Sequence, residues 1–267
     1  MSPVIQFGTR TLLEKLPAVS DLLSIDKEIG KPHSHHPLLF SSQAWSRRLE
    51  LPWVIREIGP PSRLSILDVG SGNSALPICL ARQGAHVVST DPEIADHLPG
   101  LVETVRGALP RLPFRNESFD VVCCISVLEH LRSGLSANIG ELCRLSRSKI
   151  VLTFDVMLGP HALYGLSKAE VRAFARAFGR RLVAPHDLLV PTGWEARSVG
   201  RHVGVCLASL DRPRQGWPSI RLTAWERFLA CSARLVRDEL WRGRRVRSRL
   251  RSLWESPEVG ALLPRKR

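Results

Sequence analysis

A nine-residue run, Ile66-Leu67-Asp68-Val69-Gly70-Ser71-Gly72-Asn73-Ser74, joins an apolar segment to a helical pattern. Glycine lets the backbone turn sharply there and come close to a ligand, and a helix start offers free N–H groups. Asp68 stands two residues ahead of the first glycine. A carboxylate at that point suits a cationic amino-acid group better than a pyrophosphate. Asp91 ends the next apolar segment, 19 residues after Gly72. An acid so placed can accept both ribose hydroxyls of a bound nucleoside. It also fits a helix N-cap ahead of Pro92. A dinucleotide pattern asks for a third glycine, and this chain continues Asn73-Ser74-Ala75 instead.

Further along, Ser126-Val127-Leu128-Glu129-His130-Leu131 follows another apolar run. His130 is the candidate general base, because an imidazole with an ordinary pKa near ~6.5 takes a proton from a hydroxyl at neutral pH. Packing is its competing role, and a structural role is favoured for Glu129. His161 and Tyr164 follow the next run and are candidates for contact with an acceptor. Arg47 and Arg48 precede the core. They are candidates to cap the site and bind a carboxylate, weighed against a plain exposed helix face. His33, His35 and His36 lie in a Pro-containing stretch without supporting acids or cysteines, which reads as a solvated loop. Cys79, Cys123, Cys124, Cys143, Cys206 and Cys231 form no CxxC pair and no metal-ligand spacing. Buried reduced thiols are expected, and no metal is.

These residues need elements to hold them. Apolar runs at 64–69, 86–90, 101–106, 118–126 and 149–156 read as strands, and 74–83, 133–146 and 167–178 as helices. The last helix opens on Ser167 with Glu170 at the capping-box position. Strands at 181–189 and 202–209 follow with no helix between them, so an antiparallel pair is open to them. The alternation implies a doubly wound α/β fold with a mostly parallel, seven-stranded sheet. Ahead of it, 42–58 reads as a helix that Pro52 is expected to break or kink. The expected division is a helical and loop cap at 1–60, a ligand-binding domain at 61–210, and a linker with a basic amphipathic helix at 211–267.

The chain has 267 residues, 44% hydrophobic and 24% charged, enough to bury a sizeable core. No apolar run reaches the ~18–20 residues that span a bilayer, and the start does not read as a signal peptide. A cytoplasmic location is expected. The net charge of +13 is uneven. Residues 211–267 carry fifteen Lys/Arg against six Asp/Glu, a net +9, which leaves +4 for the first 210. Trp241 and Trp254 flank the Arg-rich stretch 242–251. That makeup suits peripheral contact of 221–254 with an anionic membrane, weighed evenly against a solvated basic helix packed on the core, with nucleic acid third.

One more stretch gives these features a common setting. Leu112-Pro113-Phe114-Arg115-Asn116-Glu117-Ser118-Phe119-Asp120-Val121-Val122 leads into Val127-Leu128-Glu129-His130. Together with Asp68-Val69-Gly70-Ser71-Gly72 and Asp91, it resembles the class I S-adenosylmethionine-dependent methyltransferases, in particular the type 11 methyltransferase-domain family. The resemblance covers 64–156 closely and extends loosely to 210. It implies S-adenosylmethionine as cofactor, with Gly70, Ser71 and Gly72 around its methionine part and Asp68 on its amino group. It implies Asp91 on the ribose, Pro92 and Glu93 beside the adenine, and Ser126 near the methionine. Ala108 stands where the family usually has an acid on the adenine amine, so backbone groups of Ala108 and Leu109 are left to make that contact. The implied reaction is direct in-line methyl transfer to a small-molecule, sugar-containing or lipid-linked acceptor. A nucleic-acid methyltransferase and a non-catalytic scaffold are the alternatives.

Overall fold

The computed structural model describes residues 4–5, 22, 47–72, 74–93, 100–131, 134–157, 165–178, 187–189, 203–224, 226–227 and 229. His33, His35, His36, Asn73, His161, Tyr164, Cys231, the side chain of Arg48 and the Arg-rich part of the tail lie outside them.

Among the described residues eight strands form one sheet: β1 (Val4–Ile5), β2 (Ser65–Val69), β3 (His86–Asp91), β4 (Glu103–Arg106), β5 (Phe119–Ile125), β6 (Ser146–Met157), β7 (Asp187–Leu189) and β8 (Val203–Asp211). Their order is β1-β7-β8-β6-β5-β2-β3-β4. Among these described strands only β8 runs antiparallel, pairing with β6 on one side and β7 on the other. The expected antiparallel pairing of the last two strands is therefore present. The sheet has one strand more than the expected seven, because Val4–Ile5 adds to the edge of β7. Two residues carry too little pattern to read as a strand, and pairing with an open edge made them one.

The chain runs outward from β2 through β3 to β4, then returns to place β5 on the other side of β2. Strand order reverses between β2 and β5, and in open α/β sheets ligands bind beyond the carboxyl ends at that switch point. β2 and β5 are buried along almost their whole length, as strands covered on both faces must be.

On one face lie α1 (Arg47–Ile58) and α2 (Leu76–Arg82), packed on Ile66, Val121, Cys123, Ile125 and Val151. On the other lie α3 (Leu135–Leu145) and α4 (Lys168–Phe178), packed on Leu67, Val122, Cys124, Leu152 and Phe154. Phe154 meets Phe174 edge to face, with centroids 5.5 Å apart. The expected capping box is made: the Ser167 N–H and hydroxyl donate to Glu170 Oε2, and the Glu170 N–H donates to Ser167 Oγ.

Pro52 does not break α1. A proline inside a helix costs about 3 kcal/mol through its lost N–H and ring clash. Leu51, Trp53, Val54 and Ile55 are all buried. At ~1.5–3 kcal/mol for each such side chain, their burial outweighs the proline. Lys149 Nζ donates to the Glu57 carbonyl at 2.9 Å and ties the end of the helix to β6.

Candidate functional site

Beyond the carboxyl ends of β2 and β5 the chain makes two loops that touch. In the first, Gly70 has φ +69 and Gly72 φ +48. The Gly70 and Ser71 N–H groups donate to the Thr90 carbonyl at 2.7 and 3.2 Å. The Gly72 N–H donates to Asp91 Oδ2 at 3.1 Å. The loop is thus laced to the end of β3. A side chain at Gly70 would put its Cβ 2.5 Å from Val127 Cγ2, so only glycine lets the second loop close over the first.

Asp68, one residue before the end of β2, has 2% of its surface exposed and lies on the face that carries Ile66 and looks toward α1. Its Oδ2 has no hydrogen-bond partner among the described residues. Burial pushes its carboxyl up to about 7, with the nearby Arg47 charge opposing and Asp91 adding to the rise. The Ser71 hydroxyl is also buried and unpartnered among the described residues. A buried carboxylate and hydroxyl left unsatisfied beside a glycine turn mark a place where a polar ligand completes the hydrogen bonding. The donor set fits an amino acid's ammonium group.

Asp91 is half-buried. Its Oδ1 accepts the Glu93 N–H at 2.9 Å while Oδ2 holds Gly72. Each oxygen keeps a free lone pair, so the turn-capping role and a ribose-binding role coexist. The Gly107 N–H donates to the Asp91 carbonyl at 3.3 Å, which brings the turn from Ala108 to Arg111 beside Asp91. Ala108 is exposed and Leu109 buried. Pro92 and Glu93 are exposed next to them. These residues form one neighbourhood around Asp91.

The second loop begins with Ser126, a left-handed residue at φ +49. Its N–H donates to the Thr153 carbonyl at 2.9 Å and to Thr153 Oγ1 at 3.1 Å. Its hydroxyl donates to Glu50 Oε1 at 2.6 Å, and the Thr153 hydroxyl donates to the same oxygen at 2.5 Å. A single 3-10 turn, Leu128–His130, follows. His130 is exposed on it. Glu129 is buried, and its Oε1 accepts the Asp155 N–H at 3.1 Å. Burial first, then the Asp155 charge, drives the Glu129 carboxyl well above its usual range. Burial and the Glu50 charge likewise push Asp155 up to about 7, with Arg47 opposing. Arg47 is not on a free helix face: its Nη1 donates to the Ile125 carbonyl at 2.8 Å.

Glu50, Thr153, Asp155 and Val127 were not singled out in the sequence. Their one legible sign is Glu50, an acid set against the apolar run Leu51–Ile55 three residues after Arg47. Among the described residues no group of His, Cys, Asp and Glu has metal-binding geometry.

A family profile described as "Methyltransferase domain" matches residues 67–152. An uncharacterized methyltransferase of Mycobacterium leprae is 24% identical over 205 residues, covering 69% of this chain and 76% of its own. A ubiquinone biosynthesis O-methyltransferase of Hahella chejuensis is 40% identical over 119 residues, covering 41% of this chain and 49% of its own. Among solved structures the cyclase SpnF aligns with a TM-score of 0.53 at 14% identity, over 79% of this chain and 98% of its own. That last likeness is one of fold.

Proposed function

We propose that this chain, whose residues 67–152 match a methyltransferase-domain profile, is a class I methyltransferase that binds S-adenosylmethionine and passes the methyl group to a small-molecule, sugar-containing or lipid-linked acceptor. The observation that carries this reading is the buried, unpartnered Asp68 oxygen at the switch point beside Gly70-Ser71-Gly72. Asp68 receives the cofactor's ammonium, Ser71 a further polar group, and Asp91 the ribose diol. The turn at 107–109, exposed at Ala108, flanks the adenine, with the Ala108 and Leu109 backbone in place of the family's acid. Arg47, whose charge acts on both Asp68 and Asp155, is the candidate to meet the cofactor's carboxylate.

The sulfonium of S-adenosylmethionine supplies an electrophilic methyl, which an acceptor nucleophile held in line at roughly 3–3.5 Å displaces. The protein's share is then mostly positioning. His130, exposed on its turn above the site, is the candidate to take the acceptor's proton. An O-methyltransferase of ubiquinone biosynthesis among the relatives favours a hydroxyl on a lipid-linked acceptor. The basic tail supports the same choice, since arginines between tryptophans suit an anionic membrane surface on which such acceptors reside.

Calorimetry with S-adenosylmethionine and S-adenosylhomocysteine tests the cofactor. Saturable binding that Asp91→Ala weakens about tenfold or more, ~1.4 kcal/mol, is expected. A folded wild type that binds neither overturns the reading and leaves the scaffold alternative. Sedimentation with anionic vesicles, with and without residues 221–267, tests the tail; binding to RNA instead favours the nucleic-acid reading.

A further inference from the structure

We propose that Glu50 is a positioning residue of the site: carried on α1, outside the matched segment, it sets the conformation of Ser126 and through it the closure of the loop over Gly70. This rests on the methyltransferase reading and adds to it a residue that the domain profile does not contain.

The side chain of Glu50 is fully buried. A carboxylate in such a place is costly unless hydrogen-bonded, so its contacts indicate what it is for. Two hydroxyls, from Ser126 and Thr153, converge on Oε1 at 2.6 and 2.5 Å. Its Oε2 makes no hydrogen bond among the described residues and lies 3.9 Å from Arg47 Nε. Arg47, one helical turn earlier, holds the carbonyl of Ile125, the residue before Ser126. One turn of α1 thus grips the residue after β5 and Thr153 within β6, across 76 and 103 residues of chain.

That grip falls on a strained residue. A left-handed conformation at a non-glycine position costs ~1–3 kcal/mol and persists only where its surroundings enforce it. At Ser126 the enforcement is three hydrogen bonds: two from its N–H to Thr153, and one from its hydroxyl to Glu50. The same Glu50 oxygen holds Thr153, so one acid fixes both the strained residue and its backbone partner. The next residue is Val127, whose methyl groups fill the space over Gly70. The path runs from Glu50 through Ser126 and Val127 to Gly70, each step a contact in the structure. Without Glu50, Ser126 relaxes, Val127 moves, and the glycine turn loses its cover.

The test is S-adenosylhomocysteine calorimetry, with thermal melting as a check of folding, on wild type, Glu50→Ala, Glu50→Gln, Ser126→Ala and the double variant Glu50→Ala with Ser126→Ala. Glutamine keeps an acceptor oxygen for both hydroxyls, so Glu50→Gln is expected to bind within about threefold of wild type. Glu50→Ala and Ser126→Ala are each expected to lose about tenfold, the worth of one hydrogen bond to a charged group. The double variant is expected to lose little more than either alone, because both act through one contact. A purely structural Glu50 gives losses that add, and that result overturns the proposal. So does Glu50→Ala binding like wild type. If Glu50→Ala fails to fold, Ser126→Ala, which removes only the donor, carries the test, and an unchanged affinity overturns the proposal. A folded wild type that binds no S-adenosylhomocysteine overturns the methyltransferase reading itself, and this inference with it.

Discussion

The two loops at the switch point are built in opposite ways. The loop from Asp68 to Gly72, with Asp91, is assembled from residues close in sequence: a strand end, a glycine turn and the next strand end. Its glycine turn is held to Thr90 and Asp91 of that same unit. The loop at Ser126 is assembled from afar, held by Thr153 on β6 and by Glu50 on α1. The first half leaves Asp68 Oδ2 and the Ser71 hydroxyl without a hydrogen bond among the described residues, whereas the second commits the Ser126 N–H and hydroxyl to Thr153 and Glu50. Binding and positioning are thus divided between a local motif and a long-range clamp.

The largest expected effect breaks the seam between the halves. Gly70→Ala places a Cβ against Val127 at a φ of +69. It is expected to abolish S-adenosylhomocysteine binding, a loss of more than about 100-fold by calorimetry. Adding Val127→Ala recovers part of the loss, since it removes the clash and leaves the backbone strain.

A second test separates the halves by pH. Asp68 sits at about 7 in the unliganded protein, with the Arg47 cation and the Asp91 carboxylate nearest it. Only its ionised form attracts an ammonium, so cofactor affinity is expected to fall by up to about tenfold per pH unit below about 7. Calorimetry in buffers of different ionisation enthalpy should show a proton released on binding below that pH. Asp68→Asn removes the slope, while Glu50→Gln leaves it.

The same raised carboxyls act on stability, with a definite sign. Asp68 and Asp155 bind a proton more tightly folded than unfolded, so the unfolded chain loses its proton first as pH rises. Stability of the unliganded protein is expected to fall between about pH 4 and pH 7. Asp155→Asn should raise the melting temperature at pH 8 and not at pH 5. A melting temperature that ignores pH across this range would contradict the burial of both groups.

The smallest effect is a control outside both halves. Ser167→Ala removes the cap of α4 and is expected to cost about 1 kcal/mol in denaturant melts with cofactor affinity unchanged.

The sequence by itself determined the first half and the frame that carries it. Strand and helix periods, the spacing of Asp68, Gly70, Gly72 and Asp91, and the Ser167–Glu170 box are local, so they can be read along the chain. It did not contain the extra edge strand, the unbroken α1 or the use of Glu50. Each of those depends on what a residue meets after folding. Val4–Ile5 became a strand because β7 left an edge open. Pro52 is tolerated because its neighbours are buried against the sheet. Glu50 meets Ser126 and Thr153 because α1 packs across the end of β5 and the body of β6, a juxtaposition over many tens of residues that only tertiary packing supplies.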